Sequence, residues 1–229
     1  MKDKKEQLFR EDYFTCPIYW MDKPEWINKL NKASDPYIRK AKKLNDKHIK
    51  ERTKKHGDKG DHGMVHHSTS LIGDPKFIDL QNWIIATAWN LLDEQGFDLS
   101  GHQLFLTELW VQEFSHLGGG HHTLHTHWNG HMSGFYFLKA SNITSRPVFE
   151  DPRPGRCMNL LPEKDKTKLT LATSQINYDV KPGKLIFFNS FMPHLYIYSV
   201  DNGYEPFRFI HWNIQAIPKG VVNYNDNKK

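Results

Sequence analysis

Apolar positions change their period once along this chain. In the first hundred residues the spacing is helical. "DPYIRKAKKLNDKHIKERTKK" places Ile38, Ala41, Leu44 and Ile49 in rough register with basic residues on the other faces, which predicts a helix from Asp35 onward. "DPKFIDLQNWIIATAWNLLDEQG" is clearer still. Asp74 suits the N-cap, Pro75 the first helical position and Gly96 the C-terminal glycine, while Phe77, Leu80, Ile84, Ala88 and Leu91 form one apolar face. Ahead of these helices, Phe14, Ile18 and Tyr19 sit among turn residues and read as a short strand; Asp22 could then cap a helix with Pro24 near its first turn. "HGDKGDHG" between the helices reads as an exposed loop. After Gly101 the segments become short and β-branched or aromatic: "QLFLTELWVQEF", "HMSGFYFLKAS", "RPVFEDPR", "LTLATSQINYDV", "GKLIFFNS", "HLYIYSV" and "FRFIHWNIQAI", separated by turns such as "KPGK" and "DNGYEP". Strands run together after helices predict an antiparallel α+β fold, mainly β, a sandwich or jelly roll with the helices backing one sheet.

Length and composition narrow this picture. A chain of 229 residues with 13% aromatic content fits one domain with a substantial core, a helical part over residues 1–100 and a β core over 101–217. No run is long and apolar enough to span a membrane, and the charged opening lacks the apolar stretch of a secretory signal. Cys16 and Cys157 form no CxxC pair, which excludes a zinc-thiolate site and suits the reducing cytoplasm. Of the 31 Lys and Arg, 17 fall in the first 60 residues against ten Asp and Glu there. With few aromatics among the lysines and no nucleic-acid motif, this basic arm is read as a solvated helix surface, the weaker alternative being that it recruits an acidic macromolecule such as nucleic acid.

Five histidines in "HHTLHTHWNGH" are the strongest chemical signal. In an extended strand, residues i and i+2 share a face, so His125 and His127 would project together and could share a metal. His194, at the exit of the apolar strand "KLIFF", is a third donor, whereas His116, His121, His122 and His131 read as loop residues around the site. Arg208 stands in a strand that otherwise reads as core, where an unpaired guanidinium is costly and a ligand carboxylate would suit it. "GGG" at Gly118–Gly120 has no following Lys-Ser/Thr and is read as a turn, not a phosphate loop.

The order H-x-H, "SGFYFL", "PGKLIFF", His and Arg resembles the 2-oxoglutarate/Fe(II)-dependent oxygenase superfamily of double-stranded β-helix (jelly-roll) proteins, and most closely its branch of small bacterial and phage 2OG-Fe(II) oxygenases. The residues that carry this are "HTHWNGHMSGFYFL", "VFEDPR", "VKPGKLIFFNSFMPH" and "FRFIHWN", with agreement extending over residues 8–215. The resemblance implies Fe(II) held by His125, His127 and His194, 2-oxoglutarate held by Arg208 with help from Tyr136, and O2 as oxidant. It also implies oxidation, by hydroxylation, of an unknown small-molecule or protein side-chain substrate with release of succinate and CO2. Asp151 and Arg153 in "FEDPR" are candidates for substrate contact. His127 departs from the pattern, because most of the superfamily has a carboxylate there; Asp151 could supply it if "FEDPR" folds over the metal. The alternative is a cupin-like jelly roll that binds ligand without turnover or holds a different metal.

Overall fold

A computed structural model describes residues 14–154 and 161–220. Cys157 and the Leu8–Phe9 pair of the opening motif lie outside them. The elements in chain order are β1 (Ile18–Asp22), α1 (Ile27–His56), β2 (Val65–His67), α2 (Ile78–Glu94), β3 (His102–Phe114), β4 (His122–His125), β5 (Met132–Lys139), β6 (Pro147–Glu150), β7 (Gln175–Asn177), β8 (Lys184–Asn189), β9 (His194–Tyr196) and β10 (Phe207–Pro218). They form two antiparallel sheets, six strands in the order β1-β8-β5-β10-β3-β2 and four in the order β4-β9-β6-β7. From β3 to β10 the chain passes repeatedly between the two sheets, which brings the distant segments β4, β6 and β9 side by side.

Strand alternation gives the large sheet two different faces. On the outer face Leu109, Val111, Tyr136, Leu138, Leu185, Phe187, Ile210 and Trp212 pack with Leu30, Ala33 and Ile38 of α1 and Leu80, Ile84, Ala88 and Leu92 of α2. On the inner face Phe114, Phe135, Phe137, Phe188, Phe207 and Phe209 meet Phe149 and Tyr196 of the small sheet. Edge and stacked ring pairs tie the layers together, among them Phe149–Phe188 at 4.9 Å and Tyr196–Phe209 at 4.9 Å. Gly134 is needed where β5 passes beneath Trp212: a Cβ there would lie 2.3 Å from the Ile186 carbonyl oxygen and 2.4 Å from the indole.

The expected helix at Asp35 begins earlier. α1 runs unbroken through Pro36; the lost hydrogen bond is offset by the apolar stripe that both halves bury. Lys23, not Asp22, precedes the first turn, and no side chain caps it. Asp74 does cap, accepting from the Lys76 N–H at 2.8 Å, though the turn it opens is 3-10 before α2 begins at Ile78. The "LTLATSQINYDV" strand shortens to Gln175–Asn177 because Leu169 and Leu171 face solvent. "GGG" forms a tight turn, Gly118 and Gly119 both with positive φ, and Gly119 donates to the Ser199 carbonyl at 2.7 Å.

Candidate metal centre

The small sheet assembles the site. In it, His125 of β4 is the cross-strand partner of His194 of β9, and His194 in turn pairs with Phe149 of β6. Directly opposed residues approach closely, and the two imidazole centroids stand 4.4 Å apart. β4 ends at His125, so His127 lies in the following loop and not on the strand. Its backbone N–H donates to the Ser190 carbonyl at 2.9 Å, which turns the ring to within 5.1 Å of both His125 and His194. Ring nitrogens of the three lie within 4.8 Å of one another.

The hydrogen bonds of His125 and His194 are those of metal-ready imidazoles. Nδ1 of His125 faces the Thr123 carbonyl at 2.7 Å and Nδ1 of His194 faces that of Met192 at 3.0 Å. A carbonyl can only accept, so each Nδ1 carries a proton, and the neutral ring then offers its lone pair at Nε2. Nε2 of His127 is buried and has no partner. Burial, followed by the neighbouring histidines, pushes His127 down to about 4; His194 falls to about 3, desolvation again dominating. Both are neutral at pH 7, the form that ligates a metal. The walls are dry: Phe135, Phe149 and Phe188 all lie within 5.8 Å of the His194 ring.

A polar chain backs His127. Ser190 Oγ meets Ser133 Oγ at 2.7 Å, Ser133 donates to Asn213 Oδ1 at 2.6 Å, and Asn213 Nδ2 reaches Glu108 Oε2 at 2.8 Å and His127 Nδ1 at 2.9 Å. His211 stacks on His127 at 4.9 Å, is 1% exposed, and has no hydrogen-bond partner at either nitrogen. Glu108, His127 and His211 form a second convergent donor set. Neither Glu108 nor His211 was singled out in the sequence, yet both occupy inward positions of their strands, in step with Trp110 and Phe209. His122 belongs to the rim, its Nε2 2.9 Å from the Gln112 amide nitrogen.

Residues 108–202, which contain all three converging histidines, match the family model described as "Putative 2OG-Fe(II) oxygenase". This segment, less than half of the chain, is similar to that oxygenase family. Fe(II), 2-oxoglutarate and O2 are the cofactors of that family. Among solved structures, the oxygenase fold is shared with the non-heme α-ketoglutarate-dependent epimerase SnoN from nogalamycin biosynthesis, at TM-score 0.53 and 12% identity over 90% of this chain and 82% of that one. The non-heme monooxygenase ThoJ in its nickel complex gives 0.51 and 9%, over 86% and 72%. A Pseudomonas putida prolyl-4-hydroxylase superposes more loosely, at 0.48 and 10% over 88% and 94%. No curated protein matches.

Within this oxygenase fold, two expected cofactor contacts are not brought to the histidines. Arg208 and Tyr136 sit on the outer face of the large sheet, because residues 207, 209 and 211 of β10 and 135 and 137 of β5 take the inner one. Arg208 is held by Glu113 through Nε at 2.7 Å and Nη2 at 2.7 Å, and through Nη1 by Asp35 at 2.7 Å and Asn31 at 3.2 Å. Lys42 adds a second cation to Glu113 at 2.6 Å. Despite its burial, Glu113 is held below the usual carboxylate range by these cations. Tyr136 donates to the Lys23 carbonyl at 2.7 Å, packs edge-on to Trp26, and is raised well above the usual phenol range by burial. Asp151 and Arg153 form a bidentate pair at 2.9 and 2.6 Å. They line a cavity of about 420 Å³ with Cys16 and Met192, and among the described residues Asp151 belongs to neither convergent donor set.

Proposed function

We propose that the protein is an Fe(II)- and 2-oxoglutarate-dependent dioxygenase that hydroxylates its substrate, folded as one double-stranded β-helix domain with His125, His127 and His194 as iron ligands. The observation that carries this reading is the convergence of three imidazoles, two with Nδ1 committed to backbone carbonyls and the third with a buried, unpartnered Nε2. The donor chemistry fits a borderline divalent ion such as Fe(II). When bound, iron supplies activation of O2 coupled to decarboxylation of 2-oxoglutarate to succinate and CO2.

The chain's own residues do the rest. The carbonyls of Thr123 and Met192 fix two ring orientations, and the chain Ser190–Ser133–Asn213 fixes the third. For Nε2 of His127 to present a lone pair, Nδ1 must hold the proton, and the contact with Asn213 Nδ2 must then open, because Glu108 holds the carboxamide in its present orientation. Phe135, Phe149 and Phe188 exclude water from the His194 side. None of the side chains described as touching the three histidines is a lysine or arginine, so uncharged donors receive the co-acid. The hydroxyl of Tyr196, buried without a partner on the inner wall, is the donor we assign to it.

The test is conversion of 2-oxoglutarate to succinate by protein reconstituted with Fe(II). Turnover lost in His194→Ala, with folding retained, supports the proposal. A wild-type protein that binds neither Fe(II) nor 2-oxoglutarate overturns it.

A further inference from the structure

α1 is 30 residues long, and at 100° per residue its two sides are sharply different. Leu30, Ala33, Ile38 and Ala41 are buried toward the large sheet. On the opposite side Lys29, Lys32, Arg39, Lys40, Lys43, Lys47, Lys50 and Lys54, all exposed, fall within an arc of about 100° and run for about 38 Å along the axis. No acidic residue of the helix lies inside that arc: Asp35 faces Arg208, and Asp46 and Glu51 stand just beyond its edges. Lys29 pairs with Asp79 at 2.5 Å, and no ion pair joins the other seven to a carboxylate among the described residues. A solvated helix surface ordinarily interleaves both signs. Here Arg39, Lys43 and Lys47, and then Lys50 and Lys54, are like charges at i,i+4, which destabilises a helix unless a counter-charge is present. Toward the start of the helix, Lys29, Lys32 and Arg39 join Lys76 around a concavity of about 600 Å³.

We propose that this stripe is a docking surface for a nucleic acid. From Lys40 to Lys54 its cations recur every three or four residues, about 4.5–6 Å apart along the axis. Flexible lysine stems can match that spacing to the phosphates of a strand. An anionic membrane fits less well, because a helix lying on lipid inserts an apolar face. The apolar face of α1 is spent on the sheet, leaving Leu44 as the helix's one large hydrophobic side chain that is mostly exposed, at 79%. The stripe lies across the large sheet from the histidines, so it recruits a polyanion without touching the site. It stands whether or not the iron chemistry does.

The experiment is fluorescence anisotropy of the full chain with labelled 20-nucleotide single-stranded RNA, single-stranded DNA and duplex DNA, from about 50 to 200 mM salt. The stripe variant K43Q/K47Q/K50Q is compared with K164Q/K166Q/K168Q, which removes equal charge elsewhere, and with vesicles containing phosphatidylserine. The inference predicts nucleic-acid binding whose log–log salt slope for duplex falls by about 2.7 in the stripe variant, at roughly 0.9 per lost phosphate contact. The control variant keeps its slope. All three stripe lysines are exposed, and unchanged circular dichroism establishes that the variant is folded. Absence of nucleic-acid binding at the lowest salt overturns the inference, as does equal weakening by the two variants or binding to vesicles alone.

Discussion

Glu113→Ala should unfold the protein far more readily than any single surface change. Glu113 is 1% exposed and lies between two cations, Arg208 at 2.7 Å and Lys42 at 2.6 Å. Lys42 can swing into solvent, whereas Arg208 is 5% exposed and cannot. Truncation therefore leaves a buried guanidinium with only half-exposed Asp35 and Asn31 as partners, a loss of about 3–5 kcal/mol. In a chain of this size that is roughly 6–20 °C in melting temperature. Asp35→Ala removes the solvent-facing arm and should cost about 1 kcal/mol or less. Urea unfolding of Glu113→Leu, Arg208→Met and the double variant Glu113→Leu/Arg208→Met closes the cycle. The double should be more stable than either single, because no charge is then left buried alone. The same three proteins, loaded with Fe(II), should bind 2-oxoglutarate with affinity near wild type. An Arg208→Met protein of wild-type stability that has lost 2-oxoglutarate binding would refute the assignment of this arginine to the outer layer.

Other expectations follow from the inner face. Tyr196→Phe should leave Fe(II) binding intact and raise KM for 2-oxoglutarate about ten- to 150-fold, the worth of one hydrogen bond of roughly 1.5–3 kcal/mol to a charged group; an unchanged KM removes Tyr196 from the co-acid site. His122 and His127 are held at about 4 and His194 at about 3, mainly by burial, against an ordinary 6.5. Between pH 6.5 and about 4 the unfolded chain therefore binds more protons than the folded one. Stability of the metal-free protein should fall as pH drops, by up to about 1.4 kcal/mol per unit for each such histidine. A urea midpoint at pH 5 equal to that at pH 7 would contradict this. Gly134→Ala should cost about 1–3 kcal/mol through the clash with the Ile186 carbonyl and Trp212, seen as a lower melting temperature with the histidine site still able to bind metal.

Much of this architecture was legible in the sequence because period is a strong signal. The change from helical spacing to short aromatic strands at Gly101 predicted two antiparallel layers and helices on one of them. Asp74, Pro75 and Gly96 marked the ends of the second helix to within a turn. Of the site, His125, His127 and His194 were visible from spacing and order. What was not visible was the face on which a strand residue points. Arg208 and His211 both lie in "FRFIHWN", and a shift of one position exchanges inward for outward. The inward set is fixed by pairing with β3 and β5, which a single sequence does not reveal, so Arg208 was expected to face the ligand and His211 was passed over. Glu108 was hidden for the same reason, its strand "TELWV" carrying nothing to separate it from Glu113, five residues on and on the opposite face. Proline misled the reading of α1, because the cost of Pro36 is local while the burial that outweighs it is spread along the whole helix.

The central claim is that His125, His127 and His194 hold one iron. Anaerobic titration of the wild type and of each single alanine variant with Fe(II) or Co(II), followed by absorption and by metal content after desalting, tests it most directly. The account predicts one tightly held ion per chain, retained in His116→Ala and His131→Ala, and lost or weakened at least tenfold in each of His125→Ala, His127→Ala and His194→Ala. Full retention of the ion by any of those three variants would contradict it.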